Sequence, residues 1–368
     1  MSTATAAATV ESCMEEVRVA YGRLRAAADR AEQLRLPHLR RLREQYDDWL
    51  REEAGRWNLR PASLLQCTLE GWDAPAWQAY EPPDAAGPVF AAARLGAYAE
   101  PAAEPLGELG ALLPILGHQN LILSGPPAAG RATLQTLALR LLLTSPPGQV
   151  RLALVDPVTA GAALAAFLKL PSALRGERIA IRPEEIDQLL RAVEDHIAEV
   201  NQQRLGNVYD TVEAYNAVPG SIRIPYRLLL VADFPAGFDE RSFQRLLTVL
   251  RNGPRAGVHV LLHLDPAQTA GRGVDPAALA GLAQPLDLRQ AQLRLPAGDL
   301  AEGLLVRPDV LPPAARVNGW LAAVAKAADQ SSSTLPFQRL AIAADDRWRG
   351  DSTDGLVVPV GVTGQGEV

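Results

Sequence analysis

The period of the apolar positions divides the chain. Between residues 10 and 57 they recur at helical spacing: Val17, Tyr21, Leu24 and Ala28, then Leu39, Leu42, Tyr46, Trp49 and Leu50. Charges of both signs fill the remaining faces, and Pro37 should interrupt the helix between the two runs. The pattern predicts a two-part helical arm over residues 1–60. Two readings are open for it: a hairpin or short coiled coil that binds a partner chain, or a solvated extension packed on its own domain. Residues 61–106 change to Pro, Ala and Gly with scattered aromatics, and Glu81–Pro88 is turn-rich. This is a connector with short strands such as Val89–Leu95, and Trp72, Trp77 and Tyr80 are expected to dock onto a neighbouring domain.

From about Gly107 to Gly298 strand and helix periods alternate, which predicts an α/β fold with a mostly parallel sheet. Asn120–Ser124, Arg151–Val155, Tyr226–Asp233 and Val258–Leu264 are short continuous apolar runs of the kind that form buried strands. Leu286–Leu295 alternates like a further strand. Ala132 onward reads as a helix through the apolar run Leu134–Leu143, and Ser242–Leu250 as another. Pro183–Leu205 is a long amphipathic helix with Ile186, Leu189, Leu190, Val193, Ile197 and Val200 on one face. Residues 299–368 hold a helix (Ala314–Ala328), a polar linker from Gln330, and an extended tail.

Gly125-Pro-Pro-Ala-Ala-Gly130-Arg131-Ala132 lies between the first strand and its helix and has the spacing of a phosphate-binding loop, G-x-x-x-x-G-K-[ST]. Both glycines are in place and the two chemical positions are not. Arg131 replaces the lysine that reaches the β- and γ-phosphates, and Ala132 replaces the hydroxyl that holds Mg²⁺. Such a loop grips phosphate through backbone N–H groups, which Pro126 and Pro127 lack. Thr133 has a hydroxyl, but one residue further along a helix it is turned by roughly 100°. The loop therefore defines a degenerate nucleotide site made of Gly125, Ala128, Ala129, Gly130, Arg131, Ala132, Thr133 and Asp233, with ATP or ADP and Mg²⁺ as the ligand if one binds.

The second acid of a P-loop ATPase usually ends a strand as hhhhD[DE]. Leu228-Leu-Leu-Val-Ala-Asp233 supplies one carboxylate, and Phe234 stands where the neighbouring acid would be. Asp233 is then either a holder of water or metal, or a cap on the following turn. Arg131 is either a phosphate ligand or a first-turn residue held by a local carboxylate. Ligands of such a sheet gather at the C-terminal strand ends, which would assemble Gly125, Asp156 and Asp233. Arg255, in a Gly-Pro-Arg-Ala-Gly turn, is a candidate contact to a neighbouring subunit. His259 and His263 share one strand face without a third ligand nearby, so they read as core or edge histidines. No catalytic residue and no metal site is assigned.

Composition narrows the picture further. With 368 residues and 48% hydrophobic content the chain can build a sizeable core in two or three units. A formal net charge of −6 gives no general nucleic-acid signature. Lys169 and Lys326 are the only lysines, and Cys13 and Cys67 the only cysteines, which fits free thiols in a reducing compartment. No signal-like leader and no apolar run of the ~18–20 residues needed to span a membrane is present. A cytoplasmic location is expected.

The order of these features resembles the FtsK/SpoIIIE branch of P-loop translocases. Leu-Val-Asp156-Pro is similar to that family's Ile-Asp-Pro-Lys strand, with Val158 at the lysine, and Arg255-Ala-Gly-Val-His259 to its Arg-Ala-x-Gly-Ile-His turn. Val200–Asn216 resembles the long helix and Tyr-Asn turn before the second-acid strand. The resemblance covers about residues 107–298 and implies a RecA-like P-loop NTPase fold. In long members a degenerate domain precedes an active one, and Gly350–Gly361 looks like the lead-in to such a second domain. The family implies ATP-driven movement of double-stranded DNA by a ring, or of proteins in the type VII secretion branch. On that basis this chain is expected to be a degenerate, pseudo-ATPase module with a regulatory, assembly or scaffolding role. Its partners would be an FtsK-like ATPase domain in the same or a neighbouring chain, further copies of itself, and double-stranded DNA. The alternatives are an ATPase with an atypical P-loop that drives DNA or protein translocation, and a DNA-binding adaptor that uses no nucleotide.

Overall fold

In the computed structural model the described residues are 70–98 except 86 and 88, 110–218, 222–289, 293–294 and 305–331, with Pro37, Arg40, Arg41, Glu44 and Cys67 besides. Nearly all of the expected helical arm, most of the polar linker and the whole extended tail lie outside them. The elements in order are α1 (Pro75–Gln78), β1 (Ala92–Tyr98), β2 (Gly110–Pro114), β3 (Leu121–Ser124), α2 (Pro127–Thr144) and β4 (Val150–Val155). A 3₁₀ turn at Ala162–Lys169 leads to α3 (Ser172–Arg175) and α4 (Pro183–Glu199), which continues as a π turn over Val200–Leu205. Then come α5 (Val212–Asn216), β5 (Tyr226–Phe234), α6 (Glu240–Asn252), β6 (Val258–Leu264), β7 (Gln284–Asp287), β8 (Leu293–Arg294), β9 (Leu305–Pro308) and α7 (Ala314–Ser331).

Five strands form one parallel sheet in the order β4-β5-β6-β3-β7. Their runs are apolar because both faces are covered: Leu228–Ala232 on β5 and Val260–Leu262 on β6 are fully buried. This is the α/β architecture with a parallel sheet that the sequence pattern predicts, and it agrees with the RecA-like fold that the resemblance implies. β6, although later in sequence, is inserted between β3 and β5.

A second, antiparallel sheet has the order β2-β1-β9-β8. The expected single strand over Leu286–Leu295 is divided between the sheets, with β7 in the parallel one and β8 pairing with β9. Parallel pairing with β3 ends at Asp287, so the alternation on either side of that point serves two different surfaces. Gly96 allows the close approach of β1 and β9, since a Cβ there would lie 2.0 Å from the Arg307 carbonyl oxygen.

Helix α2 lies between the two sheets, touching β5 and β6 on one side and β1 on the other. That explains why its buried residues are not confined to one stripe: Leu134, Leu137, Ala138, Leu139, Leu141, Leu142 and Leu143 are all buried. Arg140 sits among them, 1% exposed. Its Nη1 donates to the Cys67 and Glu70 carbonyls at 2.8 and 2.9 Å, and its Nη2 to Asp309 at 2.6 Å. Asp309, just past β9, also accepts from Arg94 Nε of β1 at 3.0 Å. The Arg140 guanidinium lies 3.9 Å from the Trp72 ring centroid, and Trp72, Trp77 and Trp320 pack with centroids 4.6–5.4 Å apart. Burial pushes the Arg140 guanidinium down to about 10 against the raising effect of Asp309, so it is a full cation at neutral pH.

Two predictions follow from this packing. Asp309→Asn leaves two buried guanidinium groups without their shared carboxylate and should cost about 3–5 kcal/mol, measured by urea unfolding. Histidines His196 and His259 are both pushed down to about 4, chiefly by burial. An unfolded histidine titrates near 6.5, so between about pH 6.5 and 4 the unfolded chain binds protons that the folded chain refuses. Stability should therefore fall as pH drops through that window and level off below it for these groups. Unfolding midpoints of His196→Gln should decline less steeply than those of the parent over the same range.

Candidate functional site

The C-terminal ends of β3, β6 and β5 deliver Gly125, His263 and Asp233 side by side, and the first turns of α2 bring Arg131 over them. A chain of contacts joins the four. Arg131 Nε donates to both Asp233 oxygens, at 2.8 Å to Oδ2 and 3.0 Å to Oδ1. The same Oδ1 lies 3.0 Å from His263 Nδ1. His263 Nε2 lies 3.0 Å from the Gly125 carbonyl oxygen; a carbonyl only accepts, so Nε2 donates. Asp233 and His263 are fully buried, while the Arg131 side chain is 24% exposed.

Asp233 has a φ of +54°, the left-handed region that a non-glycine residue occupies at a cost. Burial acts to raise its pKa, and the hydrogen bonds from His263 and Arg131 with their charges outweigh it, holding the carboxyl below its ordinary range. Its carboxylate is thus committed to Arg131 and His263, which replaces the expected role of capping the next turn. Likewise the carboxylate that holds Arg131 is not a local one but lies 102 residues away.

The loop between the glycines departs from expectation. The helix begins at Pro127 rather than at Ala132, with the Gly130 N–H donating to the Pro126 carbonyl at 2.9 Å. Proline suits the first helical position because its missing N–H is one that the helix leaves unused, and alanines propagate the turn well. Pro126 and Pro127 supply no donors, so Ala128 and Ala129, both exposed, are left as the free N–H groups of this first turn. Ala132 is half-buried and Thr133 is buried within the helix at 5% exposure. Gly130 is closed from the sheet side: a Cβ there would lie 2.0 Å from Cδ2 and 2.2 Å from Nε2 of His263. Gly125 is similarly covered by Leu288, whose Cβ would be 2.7 Å away.

Other candidate residues fall elsewhere. Asp156 ends β4 at the sheet edge and spends its carboxylate locally, accepting from the Thr159 and Ala163 N–H groups at 3.2 and 2.9 Å and from the Thr159 hydroxyl. Arg255 precedes β6, at the opposite end of that strand from His263; it is exposed, with Nη2 donating to the Tyr209 carbonyl at 3.4 Å. His259 accepts the Gly117 N–H at 2.8 Å within the core. Sequence reasoning missed His263 as a member of the site. The alternation of β6 marks it as buried, but only the strand order places it between the two halves of the motif. Among the described residues no group of three or more His, Cys, Asp or Glu could hold a metal, and no helix is long and apolar enough to cross a membrane.

Comparison with solved structures places the architecture. The chain superposes on EssC (ATPases 2 and 3) from Geobacillus thermodenitrificans with a TM-score of 0.53 at 15% identity, over 70% of this chain and 52% of that one. Against the cytoplasmic domain of the Thermomonospora curvata type VII secretion ATPase EccC the TM-score is 0.52 at 15% identity, over 72% and 34%. The chain shares the α/β fold of these P-loop ATPase domains. The chain spans about half of the EssC structure and a third of the EccC structure. No protein-family model matches the sequence, and no curated protein matches it. The likeness therefore resides in the backbone rather than in the side chains.

Those side chains give a definite expectation. Asp233→Asn removes the charge that holds Arg131 and should cost about 2–3 kcal/mol in urea unfolding. Because the folded pKa is depressed, the Asp233 contribution is whole above pH ~4 and lost as pH falls through the folded value. The parent and the variant should accordingly converge in stability in strong acid.

Proposed function

We propose that this chain is an FtsK/SpoIIIE-type ATPase-fold module that does not turn over nucleotide and serves assembly or scaffolding of a translocase. The observation that carries this reading is the Arg131–Asp233 ion pair at 2.8 Å. In a working P-loop the lysine reaches a phosphate and the strand-end acid serves Mg²⁺. Here the two positions are each other's partner, so each neutralises the charge that the ligand would otherwise need. The early start of α2, the two prolines and the alanine at position 132 count against Mg–ATP independently, because they remove backbone donors and the metal-side hydroxyl. These residues do not suit Mg–ATP held as a P-loop holds it.

The partner side of the reading rests on the tandem arrangement named for the EssC structure, which holds ATPases 2 and 3 and of which this chain spans about half. A module of this kind would stand beside an active FtsK-like domain of the same or a neighbouring chain. Residues 1–60, 61–106, 107–298 and 299–368 would then be arm, connector, ATPase-fold domain and lead-out.

Calorimetry with ATP and ADP, with and without Mg²⁺, tests the reading alongside a phosphate-release assay. The expected result is no binding at millimolar nucleotide and no release above an Arg131→Ala control. Micromolar, Mg²⁺-dependent binding that Arg131→Ala abolishes would overturn it in favour of an atypical ATPase. Retardation of duplex DNA with a steep salt dependence and no nucleotide effect would instead favour a DNA-binding adaptor.

A further inference from the structure

We infer that His263 is the positioning residue that keeps this corner shut, and that Gly130 is a glycine to admit the His263 ring rather than a phosphate. The inference rests on the reading of a closed site and names the group that closes it. Three observations carry it. First, β6 lies between β3 and β5, so a side chain at its C-terminal end is the only one of the three strands that can touch both the loop and the acid strand at once. Second, the imidazole uses both nitrogens across that gap, Nε2 to the Gly125 carbonyl and Nδ1 to Asp233 Oδ1, each at 3.0 Å and with no exposure to solvent. Third, the ring occupies the space beneath Gly130, where a Cβ would lie within 2.0–2.5 Å of three of its atoms.

The physical consequence is a hierarchy. Asp233 stands in a strained backbone conformation, and one of its two oxygens is fixed by the buried ring. Arg131 docks on a carboxylate whose direction has already been set. A partly exposed arginine bound to a freely rotating carboxylate would be a weak surface pair. Bound to a carboxylate held by a buried ring, it loses less freedom on pairing and stays in place. The second glycine of the motif, which in a phosphate loop lets backbone approach a phosphate, here lets helix α2 approach the sheet closely enough for Arg131 to reach Asp233.

Two measurements on the full chain test this. The first is hydrogen exchange of the Arg131 Nε–H, followed by ¹H–¹⁵N NMR and assigned with Arg131→Lys. It should be protected in the parent, exchange at least tenfold faster in His263→Ala, and recover part of that protection in His263→Asn, whose amide N–H₂ near the Nδ1 position can still donate to Asp233 Oδ1. Equal protection in the parent and a folded His263→Ala would overturn the inference. The second is a double-mutant cycle on Gly130→Ala and His263→Ala, read as urea midpoints. Gly130→Ala should destabilise strongly in the parent background and lose at least half of that effect when His263 is alanine. Additive effects would mean that His263 is not what Gly130 accommodates. Both outcomes are independent of nucleotide, so micromolar ATP binding to the parent would refute the closed-site function while leaving these two results to be judged on their own.

Discussion

A helix packed between two sheets cannot easily hold an unpaired charge, and α2 carries two arginines, one in its buried middle and one in its partly exposed first turn. That constraint organises the molecule. Arg140, in the middle of the helix, is answered by Asp309 of the antiparallel sheet, and Arg131, in its first turn, by Asp233 of the parallel sheet. Each layer thus contributes one carboxylate to the helix between them. The desolvation of a guanidinium is costly enough that neither sheet can shift relative to α2 without exposing or orphaning a charge.

The two ion pairs differ in what stands behind them. Asp309 is shared with Arg94, and the aromatic faces of Trp72 and Trp77 spread the remaining positive charge of Arg140. The first pair is a structural joint between α2 and the antiparallel sheet, with both guanidinium groups almost fully buried. Asp233 is at such a strand end and is backed by His263, so the second pair occupies the place at which this fold elsewhere does its chemistry. The sheet order and the core do not depend on which groups meet at that corner.

The apolar runs, their lengths and the glycine spacing made most of the α/β unit legible: β3 to β6, α4 and α6 fall close to where periodicity put them. Less legible was everything decided by pairing between distant segments. β9 is a four-residue strand in a Pro-rich stretch and gives no periodic signal of its own; it exists because β1 offers it a partner. Arg140 gave a local signal, a charge in an otherwise apolar helical run, but its partner Asp309 is 169 residues away. The helix start moved from Ala132 to Pro127 because a phosphate-loop template imposes a loop where the actual residues favour a helix.

What the sequence by itself determined is the chemistry that is missing: an arginine for a lysine, an alanine for a hydroxyl, and prolines for backbone donors are facts of composition at fixed spacing. What only the tertiary structure decided is where the remaining groups went. Arg131 and Asp233 lie on opposite ends of a βαβ-rich stretch, and His263 enters between them because β6 is threaded between β3 and β5. Local preference acts over a few residues, whereas the order of strands in a sheet is set by burial of the whole domain. The bonds at the corner could therefore be read only once that order was known.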